Sequence, residues 1–334
     1  MRSSCDFPKA PEALNCPMIA EMLSQVSLEN LRRDLFHLCR DPFSFRTVSY
    51  TAPWHAKNSL DETDDFLLER LQSLGTTPRV IPNRVRPYRC NELKDIHRWY
   101  SFPYATDPTY EARSIEVTLQ GDDCPEEIIQ LIAHKDSQSW INSAGAQDNA
   151  TGTVVNLELI RLLAAIPRRR TIRFLFCNEE HFPWHSMAMA QEAKNRGDDI
   201  VAVLNSDSFC GKSDADQAAG RKTLWSVYST PEGKPLAELV VSLAAKYQIP
   251  IEAFMGASGG ISDDEGSFIN AGFRCAVVNQ GSFPYADSQY HLRGDIPERV
   301  DLENLRASAQ VVLATILEVD YAGRSMLCPG LTGA

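Results

Sequence analysis

The stretch IIQLIAHKD, residues 128–136, is an apolar run interrupted only by Gln130 that ends abruptly on His134, Lys135 and Asp136. A run this short, rich in β-branched side chains and bounded by charge, predicts a strand buried on both faces; a helix needs about ten or more residues to build a face. The pattern recurs downstream. Ile172 to Cys177 runs into Asn178-Glu179-Glu180, Ile200 to Leu204 into Asn205-Ser206-Asp207, and Arg274 to Val278 into a Gly/Pro/Ser-rich loop that delivers Tyr290-His291. Helical patterns separate these runs. Thr151 to Ala165 is apolar nearly all round and is stopped by Pro167 and three arginines, Pro235 to Tyr247 opens on a proline suited to a first turn, and Asp301 to Val319 closes the series. A short strand is expected at Leu224 to Tyr228, and the alternation of Ser114 to Leu119 predicts an edge strand. Buried strands separated by helices imply an α/β fold of three layers, α/β/α, with a mostly parallel mixed central sheet and helices on both faces.

Ahead of this core, Ser27 predicts the cap of a helix whose Leu28, Leu31, Leu35 and Leu38 share one face, ended by Asp41-Pro42. A second helix is marked by the capping-box spacing Ser59 to Glu62, an apolar face of Phe66, Leu67, Leu71 and Leu74, and Gly75 at its stop. Arg79 to Tyr110, rich in proline and aromatic residues and without a period, reads as an irregular excursion that covers something. No linker or repeat divides the chain. One domain is expected over 1–334, with a helical part and excursion in 1–112 packed on an α/β core in 113–320.

The 334 residues carry 33 Lys+Arg against 44 Asp+Glu, a formal net charge of −11. Nucleic acids and anionic membranes are bound through clustered basic charge, so neither is expected as a partner. No run approaches the roughly 18 to 20 apolar residues of a membrane span. The first residues, MRSSCDFPKAPEALNCPMIAEM, hold no apolar signal core, which predicts a cytoplasmic protein. The nine cysteines are an odd set without a CxxC pair, and are expected as reduced, mostly packed thiols.

In an open α/β sheet, ligands bind at the carboxyl ends of the strands. Here those ends supply His134 and Asp136, then Ala144 to Asn149, then Glu179 and Glu180, then Asp207, and finally His291. One acidic residue after a strand is ordinarily a helix cap or a solvated charge, and one histidine is ordinarily structural. Four such endings along the same edge point instead to a site. Mixed histidine and carboxylate donors suit a borderline divalent cation such as Zn²⁺. The adjacent Glu179 and Glu180 would repel if both were buried without a cation between them.

The ordered motifs Ile-Ala-His-Lys-Asp, Gly-Ala-Gln-Asp-Asn-Ala-Thr-Gly, Glu-Glu, Asn-Ser-Asp and Tyr-His resemble those of the co-catalytic di-zinc aminopeptidases, over about residues 113 to 320. That family shares its zinc-exopeptidase (phosphorylase/hydrolase-like) fold with glutaminyl cyclases, glutamate carboxypeptidase and the transferrin receptor. The resemblance implies two zincs per chain, one held by His134, Asp148 and His291 and the other by Asp148, Glu180 and Asp207, with Asp148 bridging. It also implies Asp136 as the acceptor that orients His134, Glu179 as general base and Tyr290 as the donor to a tetrahedral oxyanion. The substrate would be a peptide or a small aminoacyl compound.

The chain departs from that pattern in two places. A small turn is usual after the Glu pair, but here His181-Phe182-Pro183-Trp184-His185 follows, and Glu265 stands where relatives carry a histidine before an aromatic. Pro183 argues against a further metal pair from His181 and His185, which are expected to support or line the site. Lys135 is expected as a solvated or pocket-edge charge. Asp148-Asn149 with Gly152 favours the peptidases; Phe182 lends support to a cyclase with one zinc. A non-catalytic binding protein on the same scaffold is the third reading, against which the full donor set argues.

Overall fold

The structure, a computed structural model, describes residues 17–327. In chain order its elements are α1 (Pro17–Ser24), α2 (Leu28–Leu38), α3 (Ser59–Ser73), β1 (Arg79–Pro87), β2 (Arg89–Cys90), β3 (Tyr100–Ser101), β4 (Tyr110–Leu119), β5 (Cys124–His134), α4 (Thr151–Leu163), β6 (Arg170–Cys177) and β7 (His181–Phe182). There follow α5 (His185–Arg196), β8 (Asp199–Ser206), α6 (Asp214–Ala218), β9 (Thr223–Tyr228), α7 (Lys234–Lys246), β10 (Glu252–Ala257), α8 (Asp263–Ala271), β11 (Ala276–Gln280), α9 (Leu302–Ala322) and α10 (Arg324–Leu327).

The apolar runs form the centre of one mixed sheet, ordered β10-β9-β11-β8-β5-β6-β4-β1-β7. Its middle strands β11, β8, β5 and β6 are mutually parallel, because each is reached by a crossover through a helix. Their register aligns the carboxyl ends. His134 lies opposite Cys177, Ile132 opposite Asn205, and Asn279 opposite Ser206, so the residues just past each strand emerge along one edge. The outer strands β4, β1 and β7 run antiparallel to their neighbours.

Helices α1, α2, α4, α7 and α9 gather on one face of the sheet and α5 and α8 on the other, giving the expected three layers. Helix α4 is buried on every side except at Arg161, which explains why its sequence shows no polar face. Ser27 caps α2 by accepting the amide of Asn30, and Asp301 caps α9 through Asn304.

Several expectations are corrected. Ser114 to Leu119 belongs to an interior strand, because β1 pairs along its outer side over Arg79↔Glu116 to Val85↔Tyr110. The first part of the supposed excursion is therefore a strand, hidden in the sequence by its arginines and prolines. The cap of α3 is Asn58, which accepts from the Asp61 amide; Ser59 lies one residue inside the helix, its hydroxyl bonded to the Phe45 carbonyl. Gly75 does end α3, at φ +78°. Cys39, Cys90, Cys177 and Cys210 are free thiols, while Cys5, Cys16 and Cys328 and the reading of the leading segment fall outside the described residues. Among the described residues no helix is long and apolar enough to cross a membrane.

Candidate metal centre

His134 is the last residue of β5, Glu179 and Glu180 lie just past β6, and Asp207 follows β8. Asp148 sits on a tight turn, residues 146–150, that feeds α4, with Asp148 at φ −115°, ψ 88°. Two features hold that turn. Gly145 adopts φ +51°, and a Cβ there would stand 2.5 Å from the Asp148 carbonyl and 2.7 Å from Ser137 Cβ. The Asp295 carboxylate accepts the amides of Gln147 and Asp148 at 2.7 and 3.1 Å. His291 arrives on the loop after β11 at φ +60°, a left-handed conformation that costs a non-glycine residue and that the surrounding contacts must sustain.

These side chains meet. His134 Nε2 is 3.0 Å from Asp148 Oδ1 and 3.7 Å from Asp207 Oδ1. His291 Nε2 is 3.3 Å from Asp148 Oδ2 and 3.5 Å from Glu180 Oε1. The grouping corrects the expected one: His134 goes with Asp207, and His291 with Glu180. The sheet order explains it, since β8 is the neighbour of β5 and brings Asp207 beside His134, whereas Glu180 lies beyond β6 with the His291 loop folded over it. Asp148 turns Oδ1 to His134 and Oδ2 to His291, the placement that the bridging role implied by the resemblance would need.

The donor set fits divalent cations. Two ligands of one tetrahedral zinc at about 2.0–2.1 Å are separated by roughly 3.3 Å, and the four distances above cluster there. The imidazole tautomers agree. His134 Nδ1 donates to the carbonyl and carboxylate of Asp136, both at 3.2 Å, and His291 Nδ1 donates to the His97 carbonyl at 2.9 Å. In the neutral imidazole each Nε2 then presents its lone pair toward the carboxylate oxygens, the geometry in which a shared cation would be held.

Without a cation the charges strain one another. Burial works against a charged His291, yet the Glu180 and Asp148 carboxylates raise it to about 10. Burial and Asp148 lift Glu180 to about 7. Glu179 is raised well above an ordinary glutamate by burial and then by Asp264 and Asp263 at the start of α8, and its Oε2 has no hydrogen-bond partner among the described residues. An uncommitted carboxylate of raised basicity beside the donor groups is suited to moving a proton.

Asp136 accepts from both His134 and the amides of Glu179 (3.1 Å) and Glu180 (2.9 Å), and also from His181 Nδ1 at 2.6 Å. His181 is thus a support of the site, backed at Nε2 by Thr47 Oγ1 at 2.9 Å. His185 turns away to Ser114 Oγ at 2.6 Å. Glu265 is buried under the site and accepts from Asn205 Nδ2 at 2.9 Å. The Tyr290 ring stacks on His291 with centroids 3.7 Å apart. Lys135 is corrected outright. It is buried, not solvated, and pairs with Asp64 Oδ1 at 2.7 Å and Asn178 Oδ1 at 2.7 Å.

Sequence reasoning missed Gln138, whose amide nitrogen reaches Asp148 Oδ2 at 2.9 Å and Glu180 Oε1 at 3.2 Å, and also Asp295 and His97. Only Gln138, a polar residue two beyond Asp136, left any signal. The excursion does cover the site. Tyr88 and Tyr100 pack with Trp140, and Tyr100 and Trp140 stand edge-on to His291 at 5.6 and 4.9 Å.

The model of the family described as Peptidase family M28 matches residues 114–316. Among curated relatives, leucine aminopeptidase 1 of Sclerotinia sclerotiorum is 24% identical over 310 residues, covering 88% of this chain and 73% of that protein. Two solved structures share the fold. A Zn-dependent exopeptidase from Parabacteroides distasonis has TM-score 0.67 at 17% identity, covering 87% of this chain and 98% of the other. A glutaminyl cyclase from Bacteroides thetaiotaomicron has TM-score 0.67 at 15% identity, covering 88% and 98%.

Proposed function

Since the chain belongs to peptidase family M28, we propose that it is a zinc-dependent aminopeptidase that hydrolyses the first peptide bond of a peptide or the bond of a small aminoacyl compound. The observation that carries this reading is two adjacent donor groups, His134 with Glu179 and Asp207, and Asp148 with Glu180 and His291, between which Asp148 reaches both histidines and Glu179 keeps an oxygen without a hydrogen-bond partner. His134, Asp148 and Asp207 would hold one zinc, and Asp148, Glu180 and His291 the other. Two such ions supply Lewis acidity to the scissile carbonyl and acidity to a water.

The chain's own residues do the rest. Glu179 takes the proton of the attacking water and returns it to the leaving nitrogen, which its burial and raised basicity suit. Asp136 keeps His134 in the tautomer that presents Nε2. Tyr290, carried on the ring of His291, is proposed to donate its hydroxyl to the tetrahedral oxyanion. Tyr290→Phe should then lower kcat by about 10²–10³-fold with little change in KM, measured by steady-state hydrolysis; an unchanged kcat removes Tyr290 from this role.

The test of the whole reading is a panel of aminoacyl anilides and N-terminal glutaminyl peptides, assayed before chelation, after it, and after Zn²⁺ is returned. Anilide hydrolysis lost on chelation and recovered with zinc is expected. Activity that survives exhaustive chelation would sink the metal-centred reading, and cyclisation of glutaminyl peptides without hydrolysis would replace it with a cyclase.

A further inference from the structure

Arg46 lies in the N-terminal part of the chain, outside the residues that the family model matches. It is 0% exposed, and among the described residues it forms no ion pair. A buried guanidinium without a carboxylate is costly unless its donors find acceptors. Four of its five N–H donors do. Nε donates to the Lys135 carbonyl at 2.8 Å, Nη1 to the carbonyls of Leu38 and Ala144 at 2.7 Å each, and Nη2 to the Gly145 carbonyl at 2.9 Å. Its own backbone is locked to the same place: the Arg46 amide donates to Ser137 Oγ at 2.9 Å and the Ser137 amide donates to the Arg46 carbonyl at 3.0 Å.

The carbonyls it joins are that of Leu38 at the end of α2 and those at the two ends of the single loop that connects β5 to α4. Lys135 stands between His134 and Asp136, and Ala144-Gly145 begins the turn that carries Asp148. The sheet ends at His134 and α4 begins at Thr151, so strand geometry alone does not set how closely the two ends of this loop approach. We propose that Arg46 is a positioning residue for the dinuclear centre, its planar fork setting the separation of His134 from Asp148 and so the cage of the first cation. The inference rests on the metal-centre reading above. The fixed fork also explains why an arginine is needed, since an ammonium cannot reach carbonyls at both ends of the loop in one plane.

The test compares zinc retention and kinetics in the zinc-loaded full chain with Arg46→Ala and Arg46→Lys, using release to a chromogenic chelator as the metal readout and circular dichroism to establish folding. Both variants should release zinc about 10- to 100-fold faster than the unchanged chain and lose kcat by a similar factor with KM nearly constant. Low-millimolar guanidinium, filling the space left in Arg46→Ala, should restore retention where urea at the same concentration does not. Folded variants with zinc release and kcat within about twofold of the unchanged chain overturn the proposal, as does equal recovery with urea, which would mark a general loosening of the fold. If Arg46→Ala does not fold, Arg46→Lys alone decides by the same comparison of retention. An unchanged chain that retains no zinc would refute the metal-centre reading itself, and the role of Arg46 with it.

Discussion

Asp136 takes four donors on two oxygens: the imidazoles of His134 and His181 and the amides of Glu179 and Glu180. Burial alone would raise its pKa, but the two imidazoles hold it well below the ordinary aspartate range, so it stays a carboxylate. One residue therefore holds His134, Glu179 and Glu180 together, the first and last proposed as ligands and Glu179 as the general base. Asp136→Asn would turn an NH₂ toward N–H donors and should weaken zinc binding by about 10- to 100-fold, read as a shift in the zinc dissociation constant by competition with a chelator; an unchanged constant would show that His134 is oriented by other means. The proposed ligands His134, Glu180 and Asp207 stand out in the sequence because each ends or closely follows an apolar run, and the parallel sheet delivers such ends to one edge, while Asp148 and His291 come from loops. Their supports do not stand out. Arg46 stands 89 to 99 residues from the loop carbonyls it binds, Asp295 147 to 148 from the amides it accepts and His97 194 from His291, and no spacing rule connects a residue to a group it will meet only after folding.

At the scale of elements, the junction of α4 with β8 sets where Asp148 and Asp207 stand relative to each other. Asn149 ties it, its Nδ2 donating to the Ser206 carbonyl at 2.8 Å and its Oδ1 accepting the Gly152 amide at 2.9 Å. A Cβ on Gly152 would stand 2.0 Å from the Ser206 carbonyl, which is backbone and cannot swing aside. Gly152→Ala should cost about 1–3 kcal/mol or more, measured by urea unfolding; a variant as stable as the unchanged chain would mean that α4 is free to shift. The same scale shows where pattern reading fails. Strands β5, β6 and β8 were plain because both faces are buried, whereas β1 and β10 carry mixed, half-exposed residues that show no clean alternation. Helices α5 and α8 went unseen because polar and charged residues fill their buried sides, among them His185, Ser186, Asp264 and Glu265.

For the whole molecule, the N-terminal part is joined to the core through the metal loops. Asp64 of α3 reaches Lys135, Thr47 reaches His181, and the His97 carbonyl reaches His291. The Lys135–Asp64 pair has both side chains fully buried. Lys135→Met leaves the buried Asp64 with Arg113 as its remaining cation, 3.2 Å from Oδ2, and should destabilise the chain by up to about 3–5 kcal/mol, while Lys135→Met combined with Asp64→Leu should recover most of that loss. Urea midpoints of the two variants decide it. A double variant no more stable than the single one would show that the pair does more than balance charge.

The proposed function makes this edge of the sheet a catalytic zinc centre with Glu179 as its proton carrier. Glu179→Gln tests it most directly, because it removes the proton acceptor while keeping shape and every proposed ligand. Turnover of an aminoacyl anilide by the zinc-loaded variant should fall by about 10²–10⁴-fold, with the zinc content per chain unchanged from that of the parent. Turnover equal to the parent's at the same zinc content would contradict the account.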